Sequence, residues 1–157
     1  MQLTSSAFQA GAAIPAKYTC EGKNISPEFS WMDAPAQTKT FAFVIHDPDA
    51  PRPGGFTHWV VYNIPANTGH IGEGVPKQET VPDLGVQGKN DSGEIGYMGP
   101  CPPSGRHRSI ARLYALDMEL PLGPGVSLNE LYVAMKGHIL AQAELMGTYA
   151  KKSSRAA

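Results

Sequence analysis

Asp47, Asp49, His58 and His107 are the residues whose types and spacing could do chemistry in this chain. Asp47-Pro48-Asp49-Ala50-Pro51 brings two carboxylates into a proline-stiffened turn, and Thr57-His58-Trp59-Val60-Val61-Tyr62-Asn63-Ile64-Pro65 follows it. A Gly/Pro-rich cluster, Gly96 to Arg108, ends in a second histidine flanked by Arg106 and Arg108. Carboxylates that orient imidazoles build a site for a small anion. Neutral imidazole donates one hydrogen bond to a phosphate oxygen, and imidazolium adds charge. On this reading anion affinity should rise as pH falls through about 7 to 6.

Other chemistries fit these residues less well. Asp47 and Asp49 could instead accept backbone N–H groups within the turn. Metal ligation by His58, His107 and an Asp lacks a close ligand pair such as H-x-x-x-H. A Ser-His-Asp hydrolase using Ser104 or Ser109 lacks the G-x-S-x-G elbow. No phosphate-binding glycine loop or dinucleotide fingerprint is present.

The elements that must position these groups follow from apolar patterning. Residues 39–47, apolar on both faces, predict a central strand, and residues 57–64 a second one. Alternation in the second would put His58, Val60, Tyr62 and Ile64 on one face and Trp59, Val61 and Asn63 on the other. An edge strand is expected in residues 2–8, a short one around Phe29-Ser30-Trp31, and another over 109–117. Residues 66–105 form a long, turn-rich excursion, a length usually tied to function. Ser127-Leu128-Asn129-Glu130 is a capping box, and the spacing of Leu128, Leu131, Tyr132, Met135 and Ile139 predicts a helix over 128–147, with Gly137 weakening its middle. The reading is one domain over 1–150 and a frayed tail over 151–157.

The 157 residues suffice to bury a core without staples. A hydrophobic content of 41% and a net charge of −1 describe an ordinary globule and give no reason to expect nucleic acid. The 17 glycines and 14 prolines, set between apolar runs, favour a β-rich chain with many turns. No apolar run approaches the ~18 residues of a membrane span, and no signal-peptide pattern opens the chain, so a cytoplasmic protein without membrane insertion is expected. Cys20 and Cys101 match no metal spacing, and in a reducing compartment they read as two free thiols.

Together these motifs resemble the phosphatidylethanolamine-binding protein family, also called Raf kinase inhibitor proteins, in its short bacterial branch. The resemblance runs through Tyr18-Thr19-Cys20-Glu21-Gly22, Ser26-Pro27 before Trp31, the Asp47–Pro51 and Thr57–Pro65 segments, Asn90-Asp91, Gly96–Gly105, His107-Arg108 and Leu113–Asp117. It implies a mainly β fold of sandwich type with peripheral α structure: a large central antiparallel sheet, a smaller sheet and a C-terminal helix. It also implies an anion pocket for phosphate or a phosphoethanolamine head group. Carried over by motif, that pocket comprises Asp47, Asp49, Pro51, Phe56, His58, Cys101, Pro102, Pro103 and His107. The chain departs from the pattern at Ser109, where relatives carry an aromatic residue. Relatives of the bacterial branch often carry both cysteines, which implies that the fold can bring them together, although a cytoplasmic setting opposes a disulfide. The Ala50-Pro51 bond is expected to be cis.

The sequence thus predicts a non-enzymatic binding protein for a small anion or phospholipid head group, a signalling modulator with a protein kinase as a conceivable partner, and no metal or cofactor. A small hydrolase using the same His and Asp residues and a surface interaction module are the alternatives. The oligomeric state is open, with a homodimer among the options.

Overall fold

The computed structural model describes residues 1–152, so residues 153–157 of the expected frayed tail lie outside the described residues. Thr40–Asp47 (β3) is buried at every position except His46, as a strand covered on both faces must be. It pairs antiparallel with Phe56–Pro65 (β4) on one side and with Arg106–Leu116 (β8) on the other.

Around this centre the larger sheet takes the order β6-β7-β4-β3-β8-β9, with Thr80–Val81 as β6, Gly85–Gln87 as β7 and Ile139–Ala150 as β9. The smaller sheet, β1-β2-β5, consists of Gln2–Thr4, Phe29–Met32 and His70–Ile71. The edge strand expected over 2–8 is therefore shorter, and the 66–105 excursion contains three short strands.

Each face of the larger sheet carries its own core. Phe41, Phe43 and Ile45 pack with Trp59, Val61, Ile64 and Leu113 against Phe29, Trp31 and Ile71 of the smaller sheet. On the opposite face Ala42, Val44, Val60, Tyr62 and Tyr114 pack against Leu131 and Met135 of the helix Leu128–Met135 (α1).

Alternation along β4 is broken twice. Its register against β3 slips between Phe41↔Ile64 and Phe43↔Val61, and again between Ile45↔Trp59 and His46↔Thr57. The first slip falls at Asn63, whose backbone has a φ of 53° and whose side chain donates to and accepts from the Leu120 backbone. Ile64 therefore joins Trp59 and Val61, not Val60 and Tyr62 as strict alternation requires. The second slip leaves His58 as the extra residue of a β-bulge, a device that re-aims a side chain.

The helix expected over 128–147 is the larger correction. Ser127 accepts from the Glu130 N–H and Glu130 from the Ser127 N–H, so the capping box starts α1 as read. The helix ends at Met135, and Gly137 takes a φ of 84° that stops it. The chain then turns back as β9, laddered to β8 from Arg106↔Ala150 to Leu116↔Ile139. Residues 141–149 carry a second, period-2 pattern of Ala141, Ala143, Leu145, Gly147 and Tyr149, and pairing along a long neighbouring strand selects it over helix propensity.

Candidate functional site

Three strand ends meet because the strands are antiparallel: Asp47 closes β3, Phe56 to His58 open β4, and Arg106-His107 open β8. A cavity of about 340 Å³ lies there, lined by Asp47, Ala50, Pro51, Arg52, Phe56, His58, Ser92, Met98, Gly99, Cys101, Pro102, Pro103 and His107. The sequence-predicted residues Asp47, Pro51, Phe56, His58, Cys101, Pro102, Pro103 and His107 thus come together. Asp49 does not line the cavity.

Asp47 continues the Phe41-Phe43-Ile45 face and is 6% exposed, so its carboxylate needs partners. It accepts the Asp49 N–H at Oδ1 (2.7 Å) and faces His107 Nδ1 at Oδ2 (2.7 Å). The carboxylate thereby orients the imidazole and leaves Nε2 for the cavity. Asp49 instead grips Arg108, accepting from its Nε (2.9 Å), Nη2 (2.8 Å) and backbone N–H (3.0 Å). The Arg108 side chain and backbone bonds hold the Asp49 carboxyl down to about 2. Its role is to fasten the Asp47–Gly55 turn to β8.

His58 is anchored through the backbone of Met98. Its Nδ1 lies 2.7 Å from the Met98 carbonyl, and the Met98 N–H donates to the His58 carbonyl at 3.0 Å. A carbonyl only accepts, so Nδ1 carries the proton and Nε2 is left as a lone pair in the neutral ring. Nε2 is buried and has no hydrogen-bond partner among the described residues. Burial pushes protonation of His58 down to about 4, against a smaller upward pull from the Met98 bond. The expectation that two imidazolium charges draw in an anion near pH 6 to 7 therefore fails for His58, which stays neutral there.

The walls are set by the 66–105 excursion and the proline turn. The Tyr97 hydroxyl donates to the Tyr18 carbonyl (2.6 Å), and the Gly99 N–H to Asn24 Oδ1 (2.7 Å). A Cβ at Gly99 would lie 2.0 Å from the Tyr18 carbonyl oxygen, so this close approach admits glycine only. Cys20 and Cys101 form a disulfide with Cα atoms 5.4 Å apart, contrary to the free thiols expected; the excursion folds back far enough to join residues 81 apart. Among the described residues no peptide bond is cis, so Ala50-Pro51 is trans, contrary to expectation. Hydrogen bonds across the turn and the positive φ of Gly54 and Gly55 shape it instead.

Sequence reasoning missed Arg52, whose guanidinium lies 5.6 Å over the Phe56 ring beside the cavity. A cation next to Pro51, within the acidic turn, was a readable signal for it. Met98 acts through its carbonyl and had no such signal. Ser104 does not line the cavity, and Ser109 is buried against Phe29, Ile45 and Tyr97 in a separate small void. Neither is placed to act with His58 or His107. Among the described residues no three His, Cys, Asp or Glu side chains gather as metal ligands would, and no helix is long and apolar enough to cross a membrane.

Comparison with known proteins gives concordant results. Residues 4–150 match the family model described as phosphatidylethanolamine-binding protein. The UPF0098 protein of the archaeon Methanothermobacter thermautotrophicus is 50% identical over 149 residues, covering 95% of this chain and 98% of that protein. The crystal structure of a putative phosphatidylethanolamine-binding protein homolog from Chlamydia trachomatis superposes with a TM-score of 0.87 at 44% identity, covering 96% of this chain and 97% of that one. Escherichia coli YbcL, described as a new member of the mammalian family, gives a TM-score of 0.88 at 33% identity, covering 96% of this chain and 98% of that one.

Proposed function

Because the chain belongs to the phosphatidylethanolamine-binding protein family, we propose that it is a non-enzymatic binding protein whose Asp47–His58–His107 cavity takes a small anion, either phosphate or a phosphoethanolamine head group. The observation that carries this reading is the common anchoring of the two imidazoles. Each is held through Nδ1, by Met98 or by Asp47, which leaves Nε2 of both rings without a hydrogen bond to any described residue, in side chains that line the cavity. A volume of about 340 Å³ is at the small end for ligand pockets and suits a head group better than an acyl chain. Phe56, Met98 and three prolines supply an apolar wall, and Arg52 supplies positive charge.

Calorimetric titration with phosphate and with phosphoethanolamine tests the reading. Wild type should show saturable binding, and His107→Ala should weaken it by at least ~1.5 kcal/mol, the low end for a bond to a charged group. Absence of saturable heat, or an unchanged affinity in the variant, would overturn it.

One observation favours a second reading. A carboxylate bonded to an imidazole Nδ1 is the arrangement that orients a general base, and His107 could activate water toward a bound ester. Turnover of a phosphoester or carboxylic ester that His107→Ala abolishes would establish this reading in place of simple binding. A role toward a protein kinase would rest on another surface. Kinase capture that persists in His107→Ala would reveal it.

A further inference from the structure

His58 Nε2 limits what can occupy the cavity beside it. The Met98 carbonyl, 2.7 Å from Nδ1, fixes the ring's one proton on the far side from Nε2. Nε2 is buried without a partner, in a side chain that lines the cavity. Burial also keeps the ring neutral at physiological pH. The group meeting Nε2 must therefore donate. A fully deprotonated oxygen there would set two lone pairs against each other in a site with little water, leaving both unsatisfied.

The rest of the cavity offers the opposite polarity. Both Asp47 oxygens are engaged, one by the Asp49 N–H and the other by His107. His107 Nε2 bears an N–H when the ring is charged. Arg52, stacked on Phe56, adds guanidinium donors. The cavity thus pairs the buried His58 acceptor with the donors and positive charge of Arg52, joined by a His107 Nε2–H only when that ring is protonated.

We propose that the ligand is an oxyanion that still carries a proton, with hydrogen phosphate the simplest case, and that His58 selects it by accepting that proton's hydrogen bond at Nε2. This rests on the anion-binding reading above and narrows it. Inorganic phosphate keeps at least one P–OH in both forms populated near neutral pH, whereas sulfate has the same shape and no proton. A phosphodiester, the linkage within an intact phospholipid, has none either. A phosphomonoester qualifies only when singly protonated. Selection by a bare acceptor is a difference in affinity built from an unfavourable contact with the wrong ligand.

Calorimetric titration of the whole protein at neutral pH and fixed ionic strength, with inorganic phosphate, sulfate and dimethyl phosphate in turn, provides the test. Dimethyl phosphate stands for the diester of a lipid head group. Phosphate should bind at least about tenfold more tightly than either. A smaller ratio for sulfate or for dimethyl phosphate overturns the proton-reading role while leaving an anion site in place. Absence of binding by all three overturns both. His58→Asn keeps an N–H for the Met98 carbonyl and removes the lone pair at the Nε2 position. In that variant the phosphate-to-sulfate ratio should fall toward one. An unchanged ratio in a folded His58→Asn protein overturns the proposal, and if the variant does not fold the wild-type ratios decide alone.

Discussion

At the scale of the residue, the two histidines do different work although both are tethered through Nδ1. His58 is 3% exposed and bonded to a neutral carbonyl, so burial outweighs the upward pull of the Met98 bond and of the Asp47 and Asp91 charges, and the ring stays neutral down to about 4. Its folded-state value lies below the ordinary 6.5, so between about 6.5 and about 4 the unfolded chain binds a proton that the folded chain refuses. Stability should be full above that window and fall as pH drops through it. Asp49, held down to about 2 from 3.8, loses its contribution only below that range. Urea unfolding at pH 7 and pH 4.5 isolates the histidine, since His58→Asn should lose less stability between the two than wild type does. Equal losses would show that His58 does not set the acid limb. Asp47 governs His107 differently, because its carboxylate can only accept and so puts the proton on Nδ1. In Asp47→Asn one oxygen can still accept from the Asp49 N–H, and the amide NH₂ then faces the ring. The proton should move to Nε2, visible in the imidazole ¹⁵N shifts, with about 1–3 kcal/mol of stability lost. A His107 that keeps its Nδ1–H tautomer would contradict this account.

At the scale of the element, the sequence was informative where one periodicity was available and misleading where two were. β3 and β4 were legible because β-branched and aromatic residues between turns admit little else. β9 was not, because its Ala, Gln, Glu and Leu residues suit a helix and only the strand partner decides. The candidate site was legible as residue types: Asp47, His58 and His107 were identified before any geometry. What brings His58 beside Asp47 was not, since strict alternation groups it with Val60 and only the bulge turns it away. Asp49 shows a related dependence. Its ligand-like position in the turn gave no sign that Arg108 would arrive from β8, 59 residues on. Gly147 shows the same dependence on distant partners. It pairs with Ser109 and leaves room that Phe8 and Ile14 fill, so that a Cβ there would lie 2.6 Å from Ile14 Cγ1 and 2.8 Å from the Phe8 ring. Gly147→Ala should therefore cost about 1–3 kcal/mol by overpacking. A second change, Phe8→Leu, should cost less in that background than in wild type, read from a double-mutant cycle of melting curves. Additive losses would place the strain elsewhere.

At the scale of the whole molecule, the cavity depends on chain segments far apart in sequence that are fastened to one end of the larger sheet. The Asp47–Gly55 turn is held by the Asp49–Arg108 pair, and the excursion by the Met98–His58 and Tyr97–Tyr18 bonds. The Cys20–Cys101 disulfide adds a covalent tie between residues 81 apart, and its second cysteine lies in the cavity wall beside Pro102 and Pro103. Such bonds persist in oxidising surroundings and are rare in a reducing cytoplasm. The bond should matter twice. Closing a loop of this length restricts the unfolded chain, so Cys20→Ser with Cys101→Ser should lower stability by about 2–5 kcal/mol. The Cys20 N–H also donates to the Pro100 carbonyl at 3.2 Å, but the hydrogen bonds named above fasten the wall only up to Pro100, so without the disulfide the Cys101–Pro103 segment should move more freely against the imidazoles. Phosphate affinity should then fall as the wall loses its preorganisation. Thermal melting and phosphate titration of the double variant separate the two effects. A lower melting temperature with unchanged affinity would make the bond a staple of the fold alone. No change in either would mean that the hydrogen bonds around Tyr18, Asn24 and Met98 hold the wall without it.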